Sequence, residues 1–218
     1  MLKNILGLII SILFIGIVIL SAKFFEKAGK EASRKYIHIM LSNYWFIAMY
    51  FFDHAVWAAI LPFIFIIVNY ISYKKDLIAV MERDKQDGLG TVYYAISLFV
   101  ISIYTFGIIH NPAIGLVSIL IMGYGDGLAG VIGRAVKSKK YKIGDTTKSL
   151  AGSVTMFVIS AMISATFFLT TGIGFWLVKT VLVAIVATIL EAVSIKGLDN
   201  ITVPVGVCLL LRILVNLF

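Results

Sequence analysis

Asp126 stands in the run Met122-Gly123-Tyr124-Gly125-Asp126-Gly127-Leu128-Ala129-Gly130-Val131-Ile132-Gly133-Arg134, an acid set among glycines inside an otherwise apolar stretch. A carboxylate there is a ligand for a hard divalent cation such as Mg²⁺, and Gly125, Gly127, Gly130 and Gly133 leave room for another backbone or a phosphate to approach. The chain continues through Arg134, Lys137, Lys139, Lys140, Lys142 and Lys148 into Lys148-Ser149-Leu150-Ala151-Gly152-Ser153. This pattern predicts a helix that opens at Lys148-Ser149 with Thr146 or Thr147 as its cap, and whose free N–H groups and dipole suit a phosphate. An acid for a metal, a cationic loop and a Lys-Ser helix start are together what a nucleoside triphosphate requires. Two further clusters belong with them. Arg34-Lys35-x-x-His38 places two cations one helical turn from a histidine, and Glu191 is followed by Gly197-Leu198-Asp199-Asn200-Ile201-Thr202-Val203-Pro204, which brings a second acid and an amide.

Each signal also has a plainer reading. Gly123-x-x-x-Gly127 and Ala129-x-x-x-Gly133 are small-residue faces on which membrane helices pack. The loop lysines mark topology, Arg34 and Lys35 suit snorkelling anchors, and Asp199 and Asn200 suit helix caps. Gly125-x-Gly127-x-x-Gly130 has the letters of a dinucleotide-binding fingerprint, but that motif needs a strand and a βαβ unit, which an apolar helix does not supply. A Walker A loop is absent from the sequence.

The elements that must position these residues follow from composition. The chain has 218 residues, 61% hydrophobic and 14% charged, with mean hydropathy +1.02. Soluble domains average about 45–50% apolar and about 25% charged, so the expectation is an all-α polytopic membrane protein in one compact domain. Apolar runs near 5–25, 36–52, 55–73, 91–109, 112–133, 151–171, 174–195 and 202–218 predict about eight spans. The first run has a poor cleavage site and reads as a span, not a removed signal. The loops and junctions on one side hold 16 of the 19 Lys and Arg residues. The positive-inside rule then puts those loops in the cytoplasm and both termini outside, in a multi-pass cell-membrane protein. That bias explains the net charge of +8 without a nucleic-acid partner. His38, Asp126, Glu191 and Asp199 all map to the charged half, whereas an ion-coupled transporter needs a polar path across the midplane. The stretch Glu82–Asp87 reads as solvated loop, Gly88–Tyr94 as a hinge or headgroup contact, His54 and His110 as interfacial bystanders, and Cys208 as a core residue.

Taken in order, Arg34-Lys35-x-x-His38, Gly125-Asp126-Gly127-x-Ala129-x-x-x-Gly133-Arg134, Lys148–Ser153, Glu191 and Asp199-Asn200-x-x-x-Pro204 resemble the polyprenol kinase family, which includes phytol kinase, dolichol kinase and the CTP-dependent diacylglycerol kinase. Prokaryotic phytol kinase-like members look nearest. The resemblance implies transfer of the γ-phosphoryl group of CTP to the hydroxyl of a long-chain prenyl alcohol at the cytoplasmic face, with residues 122–153 as the nucleotide-binding region. Asp126 would hold Mg²⁺, and Asp199 or Glu191 would be a second ligand or the base. Arg34, Arg134 and Lys148 would neutralise the triphosphate, Ser149 and the helix start before Gly152 would cradle it, and His38 would assist proton transfer or bond a phosphate. Lys35 and Asn200 complete the set. The family pattern differs around Lys139-Lys140-Tyr141-Lys142, which leaves open which lysine, Lys140 among them, meets the nucleotide. The alternative with the same cofactors is a phosphatidate cytidylyltransferase-type CDP-lipid synthase. Neither reading fixes the oligomeric state.

Overall fold

The computed structural model describes residues 1–75, 89–144 and 146–217, so the charged stretch Glu82–Asp87 lies outside the described residues. The order is α1 (Leu2–Ala22), a 3₁₀ turn (Lys23–Ala28), α2 (Lys30–Ser42), α3 (Tyr44–Phe51), α4 (Ala55–Lys75) and α5 (Gly90–Ser102). Then come α6 (Pro112–Leu120), α7 (Gly127–Ala135), strands β1 (Lys140–Ile143) and β2 (Thr146–Ser149), α8 (Leu150–Thr171), α9 (Trp176–Val193) and α10 (Asp199–Asn216). Among the described residues seven helical stretches are long and apolar enough to cross a membrane. The expected run 36–52 is met by α2 and α3, separated at Asn43. There the Asn43 amide donates to the carbonyls of Ile39 and Met40, at 3.4 and 3.1 Å, in place of continuing backbone bonds. End to end, α2 and α3 reach about 33 Å, of which the apolar part after Lys35 makes up about 24 Å.

Two helices widen into π-turns, at Ile103–Ile108 after α5 and at Ile121–Asp126 between α6 and α7. The second ends on Asp126, a placement common for functional side chains. Glycines on either side of it set the packing. Cβ atoms added at Gly123, Gly127 and Gly130 would strike Ser42, Ile39 and Lys35 in turn, so this glycine row lies antiparallel along α2. On another face, Gly125 and Gly133 would strike Met156 and Ser149 of the α8 region. The stretch carrying Asp126 is therefore held within backbone reach of both α2 and α8, which is the small-residue packing of membrane helices.

The rest of the bundle is built around this pair. Trp45, Ile114, Ile119, Ile121, Met122, Phe168 and Leu211 are fully enclosed, while α1, α4, α8 and α9 turn large apolar side chains outward. Pro62 inside α4 has no N–H for the Ala58 carbonyl, and the Tyr44 hydroxyl donates to it instead at 3.3 Å. α8 ends at Gly172 in the left-handed region (φ 67°), as helix stops commonly do.

The segment expected as an irregular cationic loop is a β-hairpin in which Lys140 faces Ser149 and Ile143 faces Thr146. Its signal is the alternating side chains of Lys140–Ile143 and Thr146–Ser149 around a Gly-Asp pair, a turn composition hidden by the lysine content. The expected cap is corrected as well. Ser149 itself caps α8, its Oγ accepting the Gly152 N–H at 3.2 Å, and Lys148 lies on β2 one residue before that cap.

Candidate functional site

Three carboxylates meet at the charged end of the bundle. Asp126 comes from the π-turn before α7, Glu191 from the last turn of α9 and Asp199 from the first turn of α10, and all three are buried. One oxygen from each lies within 4.8 Å of the others. Like charges this close in a low-dielectric setting repel strongly, so cations must hold them. Lys35 Nζ donates to Asp126 Oδ2 at 2.8 Å and to the Asp126 carbonyl at 3.3 Å. Lys148 Nζ donates to Glu191 Oε1 at 2.5 Å and stands 3.5 Å from Asp199 Oδ2. Burial alone would push the Lys148 ammonium down, but the Asp199 and Glu191 carboxylates outweigh it and hold it above the usual lysine range. His38 Nε2 sits 3.3 Å from Asp126 Oδ2 and 3.2 Å from the Met122 carbonyl.

The three carboxylates with Lys35 and Lys148 form one wall of a cavity of about 620 Å³. Arg34, Lys35, Arg134, Lys140, Lys148 and Lys196 line it with Glu31, Asp126, Glu191 and Asp199, so its charge is positive. Gly130, Gly133, Ser149 and Gly152 form its glycine-rich side, where a Cβ on Gly133 would lie 2.5 Å from Ser149 Oγ. The α8 start thus presents its capped N-terminus to the cavity, and the threonines Thr146 and Thr147 add hydroxyls from the hairpin.

Twelve of the sixteen residues singled out in the sequence line this cavity. The other four do not. Gly125 and Gly127 serve helix contacts with Met156 and Ile39, while His38 and Asn200 line a smaller adjoining cavity that shares Arg34 with the first. Asn200 Nδ2 donates to the Gly90 carbonyl at 3.1 Å. Glu31 went unnoticed in the sequence, yet it binds the Arg34 guanidinium and accepts from Arg134 Nη1 at 2.9 Å, tethering two arginines at the mouth. The three-residue spacing from Glu31 to Arg34 was the available signal.

A buried set of three carboxylate oxygens suits a hard cation such as Mg²⁺. Beside it, the cationic side chains of the cavity suit a polyanion of triphosphate size, whereas the N–H groups expected to be free at the helix start are taken by Lys139, Ser138 and Ser149. The residues therefore fit a metal–nucleotide pair.

No protein-family model matches the chain, and no solved structure matches it. Curated sequences do. The chain is 29% identical over 206 residues to the phytol kinase of Synechocystis sp., covering 90% of this chain and 86% of that one. It is 30% identical over 202 residues to a probable chloroplastic phytol kinase of Zea mays and 27% identical over 202 residues to a chloroplastic phytol kinase of Arabidopsis thaliana. Both of these matches take in 83% of this chain and 65% of the plant sequence.

Proposed function

The chain belongs to the polyprenol kinase family as a homologue of the phytol kinases, and from that premise we propose that it transfers the γ-phosphoryl group of CTP to the hydroxyl of a prenyl alcohol at the charged, cytoplasmic end of the bundle. The enzyme is a phosphotransferase with an alcohol acceptor. The observation that carries the proposal is the meeting of Asp126, Glu191 and Asp199 between Lys35 and Lys148 on the wall of a positively charged cavity. Residues 122–153 contribute the π-turn, the hairpin and the α8 start, and form the nucleotide side of the site.

In phosphoryl transfer the protein mainly positions the reactants and offsets charge. Asp126, with Glu191 and Asp199, would hold Mg²⁺. When bound, the ion neutralises charge on the β- and γ-phosphates. Lys148 and Lys35 already lie beside the carboxylates, so their ammonium groups can turn to phosphate oxygens without crossing the cavity. Arg34 and Arg134 meet the triphosphate at the mouth, in exchange for Glu31. The Leu150, Ala151 and Gly152 N–H groups at the start of α8 are taken by the Lys139 carbonyl and the Ser138 and Ser149 hydroxyls, so α8 would act on the phosphates through its dipole. The alcohol oxygen attacks the γ-phosphorus, the bond from that phosphorus to the β–γ bridging oxygen breaks, and CDP leaves. His38 receives the hydroxyl proton: with Nε2–H donated to the Met122 carbonyl or Asp126, the neutral ring carries its lone pair on Nδ1.

The test is a phosphotransfer assay on purified protein in detergent with γ-labelled CTP, Mg²⁺, a panel of prenyl alcohols, diacylglycerol and phosphatidic acid. Label in the lipid with release of CDP is expected. Pyrophosphate released only with phosphatidic acid would overturn the kinase reading in favour of a CDP-lipid synthase.

A further inference from the structure

Most of the basic side chains that line the large cavity are already engaged. Arg34 and Arg134 bind Glu31, Lys35 binds Asp126, and Lys148 binds Glu191 and stands beside Asp199. A phosphate that recruits any of these must share or displace a carboxylate. Lys140 and Lys196 also line the cavity, and neither has an acid partner among the described residues. Lys140 is exposed on the hairpin, whereas Lys196 is half-buried.

Lys196 also stands on a backbone that its side chain disfavours. The Leu198 N–H donates to the Ile195 carbonyl at 3.0 Å, which closes a four-residue turn between α9 and α10. Its two central residues, Lys196 (φ 51°) and Gly197 (φ 81°), both lie in the left-handed region. Glycine adopts that region freely and asparagine with little strain, but a lysine Cβ crowds the carbonyl that follows it. The turn is held on several sides. A Cβ on Gly197 would lie 2.9 Å from the Gly90 Cα at the start of α5, a Cβ on Gly144 of the hairpin would lie 3.8 Å from Ile195 Cγ2, and the Ser194 and Thr202 hydroxyls meet at 2.6 Å.

Membrane topology accounts for neither feature. A sidedness signal needs a basic residue somewhere at this end of the bundle, and an outward position such as Leu198, 37% exposed, would serve it without strain. A half-buried cation without a counter-charge, on a backbone better suited to another residue type, marks a side chain whose charge serves a ligand.

We infer that Lys196 is a phosphate ligand of the bound nucleotide: its ammonium, with no carboxylate to leave, binds the polyphosphate directly, and the braced turn fixes where that contact is made. This rests on the kinase reading above and adds a binding residue to it. The four cations already paired exchange carboxylate for phosphate as the nucleotide settles, while Lys196 attracts it without any exchange. A phosphate can also come from a lipid headgroup, so the test separates the two sources.

The test uses the full-length protein in maltoside micelles free of phospholipid, with Mg²⁺ and a fluorescent, non-hydrolysable CTP analogue. Asparagine removes the charge and suits the left-handed backbone, so Lys196→Asn should keep or raise the melting temperature while weakening nucleotide binding about tenfold. Lys196→Gly, which carries no backbone penalty, should weaken binding equally, and Lys196→Arg should restore it to within about threefold of wild type. Lys23→Asn removes the same charge from an exposed position outside the cavity and should bind as wild type does. In turnover, Lys196→Asn should raise the KM for CTP by the same factor and leave the KM for the alcohol unchanged. If wild type binds the analogue and both Lys196→Asn and Lys196→Gly match it, the assignment is overturned and the kinase reading stands. An equal loss in Lys23→Asn makes the effect one of net charge and overturns the assignment. A difference seen only in nanodiscs of anionic phospholipid places a lipid headgroup at Lys196 and overturns it too. Wild type that binds no nucleotide overturns both readings.

Discussion

The two ends of this bundle bury polar groups in opposite ways. At the end where the termini lie, three buried polar side chains each find one backbone partner. Lys179 Nζ donates to the Leu217 carbonyl at 2.8 Å, Trp45 Nε1 to the Pro112 carbonyl at 2.9 Å, and Asn4 Oδ1 accepts the Asp53 N–H at 3.2 Å. At the other end, three acids stand within 4.8 Å of one another, and Lys35 and Lys148 pair with them, side chain to side chain. A donor matched to a helix-end carbonyl fastens two helices and asks for nothing more. Like charges gathered in a buried site are unfavourable unless a ligand uses them, so the difference separates fastening from function.

The largest break in that comparison is Asp126→Asn. Removing the carboxylate that comes from the π-turn should lower kcat by about 10³-fold or more while the protein stays folded and inserted, as followed by the phosphotransfer assay and size-exclusion profile. Near-normal turnover would remove Asp126 from the site.

Next is Lys148→Met, which leaves Glu191 and Asp199 without their ammonium. Turnover should fall by about 10²-fold, and stability should drop by about 3 kcal/mol. Added Mg²⁺ should restore more thermal stability to this variant than to wild type, because the ion takes over the task of screening the acids. The pH dependence sharpens the same point. The Lys148 ammonium is held above the usual lysine range in the folded state, so its contribution is complete below about pH 10. That contribution is lost as pH rises through the folded value. Apparent melting temperature in wild type should decline above that pH more steeply than in Lys148→Met.

A smaller effect comes from a pair of glycines. Gly133→Ala puts a Cβ 2.5 Å from Ser149 Oγ and 3.3 Å from the Gly152 Cα, so the α8 cap must shift, at a cost of about 1–3 kcal/mol. Gly174→Ala, at the opposite end, meets nothing within 4 Å and should change stability by no more than about 0.5 kcal/mol. Lys179→Met, which exchanges one backbone hydrogen bond for an apolar side chain, should cost about 1 kcal/mol or less and leave the chemistry untouched. Its phosphotransfer activity should equal that of wild type.

Much of this arrangement can be read before any coordinates. The all-α, membrane-spanning architecture follows from the apolar runs, because a bilayer allows few other solutions. Asp126, Glu191 and Asp199 stand out as acids in apolar surroundings, and the structure brings them together. Partner choice is less legible. Lys35 and His38 meet Asp126, and Lys148 meets Glu191 across 43 residues of chain, pairings that depend on how α2, α7, α8 and α9 pack. The hairpin escaped notice because its alternation is only four residues per strand and its lysines mimic a topology signal. The glycines around Asp126 carry two jobs that spacing alone does not divide: Gly130 and Gly133 border the cavity, while Gly125 and Gly127 seat neighbouring helices.

The most direct measurement is Mn²⁺ binding followed by electron paramagnetic resonance, with a non-hydrolysable CTP analogue, in wild type, Asp126→Asn and Lys179→Met. Bound Mn²⁺ is expected in wild type and Lys179→Met and not in Asp126→Asn. Equal binding in all three proteins, or loss in Lys179→Met alone, would contradict the assignment of the three-carboxylate cluster as the metal site.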